Sequence, residues 1–132
     1  MKAIRIHEHG DIDVLQIDEI TEPACENDKI KVEIKAVALN HLDIWVRNGL
    51  PGINIPLPLI MGSDASGVVV EIGNNINNFK VGDKVVIQPG TFDSEADDIN
   101  SNGINYSSTY GILGETEDGV QAEFILLREH NL

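Results

Sequence analysis

Asn40, His41, Asp43 and Arg47, with Asp64 further along the chain, are polar residues that can cap, pair or hydrogen-bond. Asn40 ends an alternating stretch, where its side chain serves either as a cap or as an amide that can hydrogen-bond a bound molecule. Asp43 and Arg47 are four residues apart, a spacing that favours an ion pair on one helical face. Asp64 follows Gly62-Ser63 and is of the type that caps backbone amides. A cluster at Asp93, Glu95, Asp97 and Asp98 reads first as a solvated loop, and only second as a weak calcium-type oxygen site. Cys25 lies near Pro23 and Glu26, surroundings that should not lower its pKa, and we read it as a bystander. A lone cysteine makes neither an intrachain disulfide nor a thiolate metal site by itself.

The elements that position these residues are mostly strands. Residues 2–7 and 14–19 alternate polar and apolar around His9-Gly10-Asp11, the pattern of a β-hairpin. Residues 29–39 alternate most cleanly, with Ile30, Val32, Ile34 and Ala36 on one face and Lys29, Lys31, Glu33 and Lys35 on the other. One or two helical turns follow, with Leu42, Trp45 and Val46 at helical spacing and Trp45 expected in the core, until Gly49 and Pro51 stop the pattern. Pro51, Pro56 and Pro58 impose an irregular, extended crossing. Strands follow over 62–73 (after a small-residue turn), 85–87 and 122–127. Gly62, Gly67, Gly73 and Gly82 are expected at turns or close packing, since no helix follows them to cradle a phosphate. Residues 89–110 form a long polar loop. This succession predicts a mainly β fold, a partly open barrel with one or two short helices. No GxGxxG opens a long helix, so a dinucleotide-binding half is not expected in this chain.

Composition narrows the function. The 132 residues are enough for one domain with a real core, and 42% hydrophobic with 23% charged residues is ordinary globular usage. The formal charge of −13 opposes binding to nucleic acid or anionic lipid. No export signal or membrane span is read, and the expected compartment is the cytoplasm.

The ordered set Asn40-His41-Leu42-Asp43-Ile44-Trp45-Val46-Arg47-Asn48-Gly49, Pro58-Leu59-Ile60-Met61-Gly62-Ser63-Asp64, Glu71-Ile72-Gly73, Val81-Gly82-Asp83-Lys84-Val85 and Asp118-Gly119-Val120-Gln121-Ala122-Glu123-Phe124 resembles one known family. It is similar to the N-terminal, GroES-like catalytic domain of the medium-chain dehydrogenase/reductases, over residues 1–132. The resemblance implies the substrate-side half of an NAD(P)-dependent alcohol dehydrogenase or quinone reductase, acting on a carbonyl, alcohol, quinone or activated alkene. The nucleotide-binding Rossmann half would be missing, so the domain is expected to be inactive alone. An excised domain or truncated product is expected, because the chain stops near where the family crosses into that half. The rival reading is a free-standing GroES-like β-barrel used for protein interaction or assembly. Substrate, NADH or NADPH preference and oligomeric state, a homo-oligomer included, are not written in this half.

The family's catalytic zinc is held by a cysteine after the first long strand and a histidine of a Gly-His-Glu motif, with a third ligand from the other half. By the resemblance these positions read Asn40 and Gly62-Ser63-Asp64 here, and amide and hydroxyl are poor zinc ligands, so no zinc is expected. The four cysteines of the structural zinc lobe would fall near Asp93, Ala96, Ile99 and Ser107, and no thiolate remains there. The resemblance assigns catalytic roles to Asn40, Asp43 and Asp64 and cofactor contacts to His41 and Arg47. Leu42 stands where a hydroxyl would join a proton relay, which argues against alcohol oxidation by that relay.

Overall fold

A computed structural model of the chain describes residues 1–93 and 107–132. Glu95, Asp97 and Asp98 of the acidic cluster, and the lobe positions Ala96 and Ile99, lie outside the described residues. Nine strands and one α-helix are present among those described: β1 (Lys2–Ile6), β2 (Leu15–Glu19), β3 (Ile30–Val37), α1 (His41–Asn48), β4 (Leu59–Ile60), β5 (Ala65–Ile72), β6 (Lys84–Val86), β7 (Gly90–Thr91), β8 (Gly111–Ile112) and β9 (Phe124–Leu127). The fold is mainly β and built on open antiparallel sheets, ordered β2-β1-β4, β6-β5-β3-β9 and β7-β8. A bridge between Ala3 and Ala122 ties the first sheet to the approach to β9.

Two apolar clusters follow from this layout. Ile30, Val32, Val69, Leu113, Val120 and Leu127 fill one. Ile6, Val46, Ile55, Leu59 and Met61 fill the other, beneath α1. Val46 is the one buried residue of α1, at 0% exposure, and Leu42 packs beside it. Trp45 is not in the core as its spacing suggested: it is 52% exposed, because a helix of two turns buries only one narrow stripe.

Strand β3 keeps the expected inner face at Ile30 and Val32, but Ala36 is exposed where the strand runs past β9 and pairs with β5 alone. Lys31, expected on the polar face, is buried. Both of its flanks are paired, to β5 and β9, and its ammonium pairs with Glu22, lies 3.8 Å from Glu71 and sits 5.4 Å from the Phe124 ring centre. Long aliphatic stems are buried in this way while their charge finds partners.

Glycines punctuate the strands. At Gly73 a Cβ would collide with the carbonyl oxygens of Glu26 and Asn27, so the residue is there for close packing. Burial pushes the Cys25 thiol up, with Glu71 adding to the shift, which fits an unreactive cysteine. Among the described residues no helix is long and apolar enough to cross a membrane.

Candidate functional site

The pairing of β3 with β5 places Val37 opposite Ala65, and the Ala38 N–H donates to the Asp64 carbonyl at 2.9 Å. Two residues further on, Asn40 therefore meets Ser63 and Asp64. Asn40 is the N-cap of α1, with an extended backbone. Its own N–H donates to Asp43 Oδ2 at 2.8 Å, one half of a capping box, and the Asp43 N–H returns to the Asn40 carbonyl at 3.1 Å. Asp43 in the first turn and Arg47 in the last suit the helix dipole, and Gly49, at φ 88°, ends the helix.

The side-chain amide of Asn40 is fully committed. Its Nδ2 donates to Ser63 Oγ at 3.0 Å and to Asp64 Oδ2 at 2.7 Å. An ionised carboxylate only accepts, so Asp64 fixes which way the amide faces, and both N–H donors are used. Ser63 is 4% exposed, which makes its satisfaction by the amide energetically important. Its Oδ1 faces the Asp43 N–H, the other half of the capping box. The side chain thus ties the start of α1 to the Ser63-Asp64 turn.

Asn40, His41, Asp43 and Arg47 line a single open cleft of about 330 Å³ together with Leu15, Leu39, Ile44, Met61 and Gln121. Asp64 lies behind it, reached through Asn40, and lines a separate shallow depression beside Val37 and Val86. Its carboxylate receives a side-chain amide in place of the backbone amides expected. The expected Asp43–Arg47 ion pair is not formed among the described residues. Asp43 is taken up by the Asn40 N–H, and Arg47 Nη2 turns to Asp11 Oδ1 at 3.5 Å and Asn48 Oδ1 at 3.3 Å. The His41 ring packs on Trp45 with centroids 5.5 Å apart.

Burial raises the Asp43 pKa, and the Asp64 charge adds to this, while the Asn40 N–H pulls the other way. The folded carboxyl therefore holds its proton more tightly than the unfolded one. Its stabilisation is complete below the ordinary aspartate value and is lost as pH rises through the folded value. Asp43→Asn keeps an acceptor for the cap and removes the titration. We expect its urea-unfolding free energy to lack the decline that the parent shows across the acid range just above the ordinary aspartate value. An unchanged decline would place the titrating group elsewhere.

Sequence reasoning did not find Gln121, Leu15, Leu39, Ile44 or Met61 as cleft residues. Gln121 reaches the cleft because its N–H pairs with the Met61 carbonyl at 2.8 Å, 60 positions away in the chain. Nothing local to residues 118–124 signals that.

With this geometry in hand, residues 26–132 match the family model of the alcohol dehydrogenase GroES-like domain. The chain belongs to that family. It is 34% identical over 137 aligned residues to the crotonyl-CoA carboxylase/reductase of Cereibacter sphaeroides, covering 98% of this chain and 32% of that protein. To the quinone oxidoreductase of Salmonella typhimurium it is 39% identical over 89 residues, 67% of this chain and 27% of that one. A solved NAD-dependent alcohol dehydrogenase superposes with a TM-score of 0.92 at 37% identity, over 99% of this chain and 38% of that one. The GroES-like chain thus spans about a third of the length of the curated relatives it matches.

The residues at the family's catalytic metal positions do not fit zinc. A neutral amide nitrogen, already donating hydrogen bonds, points at the hydroxyl and carboxylate beside it, whereas zinc needs thiolate, imidazole or carboxylate lone pairs converging on one point.

Proposed function

We propose that this GroES-like domain forms the substrate side of an NAD(P)-dependent oxidoreductase that reduces neutral carbonyl compounds, quinones or activated alkenes without zinc. The observation that carries the zinc-free part is the Asn40 amide spanning Ser63 and Asp64. Relatives named as reductase, oxidoreductase and dehydrogenase support the enzyme reading over a free-standing interaction barrel.

The cleft fits part of a nicotinamide nucleotide. Asn40 Oδ1, which faces the Asp43 N–H, has a second lone pair for a ribose hydroxyl, and Arg47 brings a cation to the same cleft; His41 stands on the first turn of α1. The cofactor, when bound, gives or takes the hydride. This chain orients and shields. Leu15, Leu39, Ile44 and Met61 exclude water from one side of the reactants, and Asp43 fixes the start of the helix that carries Asn40, His41 and Arg47. Asp64 holds the Asn40 amide, so its role is to position. With no Lewis acid proposed, substrates already activated by conjugation suit the site better than isolated ketones or simple alcohols.

The purified chain, mixed with NADPH and 1,4-naphthoquinone or cyclohex-2-enone, should give no turnover above the enzyme-free rate. Fused ahead of the nucleotide-binding remainder of a quinone oxidoreductase, it should support reduction that persists in excess EDTA. Turnover by the chain alone would refute the half-enzyme reading, and activity abolished by EDTA would refute the zinc-free one.

A further inference from the structure

Five polar side chains line the cleft: Asn40, His41, Asp43, Arg47 and Gln121. Both Asn40 donors are committed, Asp43 brings a carboxylate, Arg47 turns its Nη2 toward Asp11 and Asn48, and the His41 ring packs on Trp45. The Gln121 side-chain amide, like the His41 ring nitrogens and the buried Arg47 Nε, has no hydrogen-bond partner among the described residues; of the three it alone is non-ionisable, and it can both donate and accept.

Its position is set from three sides. The Gln121 N–H donates to the Met61 carbonyl and its own carbonyl accepts from the Ile4 N–H, each at 2.8 Å. Gly62, at φ 90°, leaves the space in which the side chain lies, since a Cβ there would stand 2.6 Å from Gln121 Cγ and 3.1 Å from Nε2. The surrounding wall of Leu15, Leu39, Ile44 and Met61 is apolar, so an amide here orients a ligand that is otherwise greasy.

We propose that Gln121 is the specificity-determining donor of this cleft, its Nε2–H recognising the oxygen of a neutral, largely apolar carbonyl compound such as an enone or a quinone. This rests on the reading of the cleft as the substrate side. An uncharged amide suits an uncharged oxygen, whereas a carboxylate ligand would select a cation in that place. Gly62 is a positioning residue for Gln121.

The test is an NMR titration of the 132-residue chain with cyclohex-2-enone, and with cyclohexene as the oxygen-free control. Enone should shift the Gln121 side-chain N–H signals together with the Leu15, Leu39 and Ile44 methyls, and leave the Asn40 side-chain N–H signals in place. Gln121→Leu should weaken enone binding about 5- to 10-fold, the size of one neutral hydrogen bond, with cyclohexene binding unchanged. The cyclohexene titration also verifies that the variant's cleft is intact. Enone that moves the methyls and binds the Leu variant as tightly as the parent would overturn the assignment and leave the cleft standing. If neither compound moves the methyls, the cleft reading falls and the assignment with it.

Discussion

Asn40→Asp is expected to destabilise the folded chain by about 3–5 kcal/mol near neutral pH, and most of that loss should return on acidification. The substitution preserves shape and deletes chemistry. Two donors disappear, from a Ser63 that is almost wholly buried and from an Asp64 carboxylate held at 2.7 Å. A new negative charge then faces Asp64 at that distance, with Asp43 one helical turn away. Loss of a charge-assisted hydrogen bond is worth about 1.5–3 kcal/mol, and like charges this close add repulsion until one of them takes up a proton. The introduced carboxyl should therefore have a raised folded pKa, so stability is regained as pH falls through that value. Asn40→Leu separates the two effects: it removes the donors and adds no charge, so its loss should be smaller and nearly independent of acid pH. Urea denaturation at neutral and acid pH measures both. A penalty below about 1 kcal/mol for the aspartate variant, equal at both pH values, would mean that the amide does not bridge Ser63 and Asp64.

The second large effect is expected at Val46. It is the single buried residue of α1, seated among Ile6, Ile55, Leu59 and Met61. Its carbonyl also accepts from Gly49 N–H at 3.1 Å and meets His9 Nδ1 at the same distance. Removing two methyl groups there forfeits about 1.6 kcal/mol of burial, and the cavity raises the total for Val46→Ala to about 2–3 kcal/mol. Because α1 has no other buried anchor, the loss should be felt locally as well. Hydrogen exchange at the Asp43 and Arg47 amides should accelerate more than at Val32 and Val69, which belong to the other apolar cluster. Uniform acceleration would show that α1 unfolds only with the whole domain.

How far the sequence foretold this site depends on the range of the interactions involved. Strand β3 and helix α1 were legible because their signals are local: alternation over 29–39, then Asn40 as cap, Asp43 in the first turn and Gly49 at the end. The meeting of Asn40 with Ser63 and Asp64 was foreseen only through family resemblance, since it depends on a strand register 28 positions apart, Val37 opposite Ala65. Trp45 and Lys31 were misplaced for a related reason. Periodicity says which residues share a face, and neither Leu42-Trp45 spacing nor Lys-Glu alternation says what covers that face. Lys31 was buried by Glu22 and Phe124, residues outside its own strand. The Asp43–Arg47 pair failed because nearer partners, Asn40 for one and Asp11 for the other, compete for the same groups. Gln121 was invisible altogether, placed by a backbone bond to Met61 and by the missing side chain of Gly62.

We propose that an amide stands in place of a metal between strand β3 and the Ser63-Asp64 turn. The deciding measurement is elemental analysis of the chain, purified without chelators from zinc-supplemented cells. Zinc far below one equivalent is expected, with a melting temperature unmoved by added zinc or by EDTA. A full equivalent of zinc, lost together with thermal stability on chelation and no longer bound by Asn40→Leu, would contradict it.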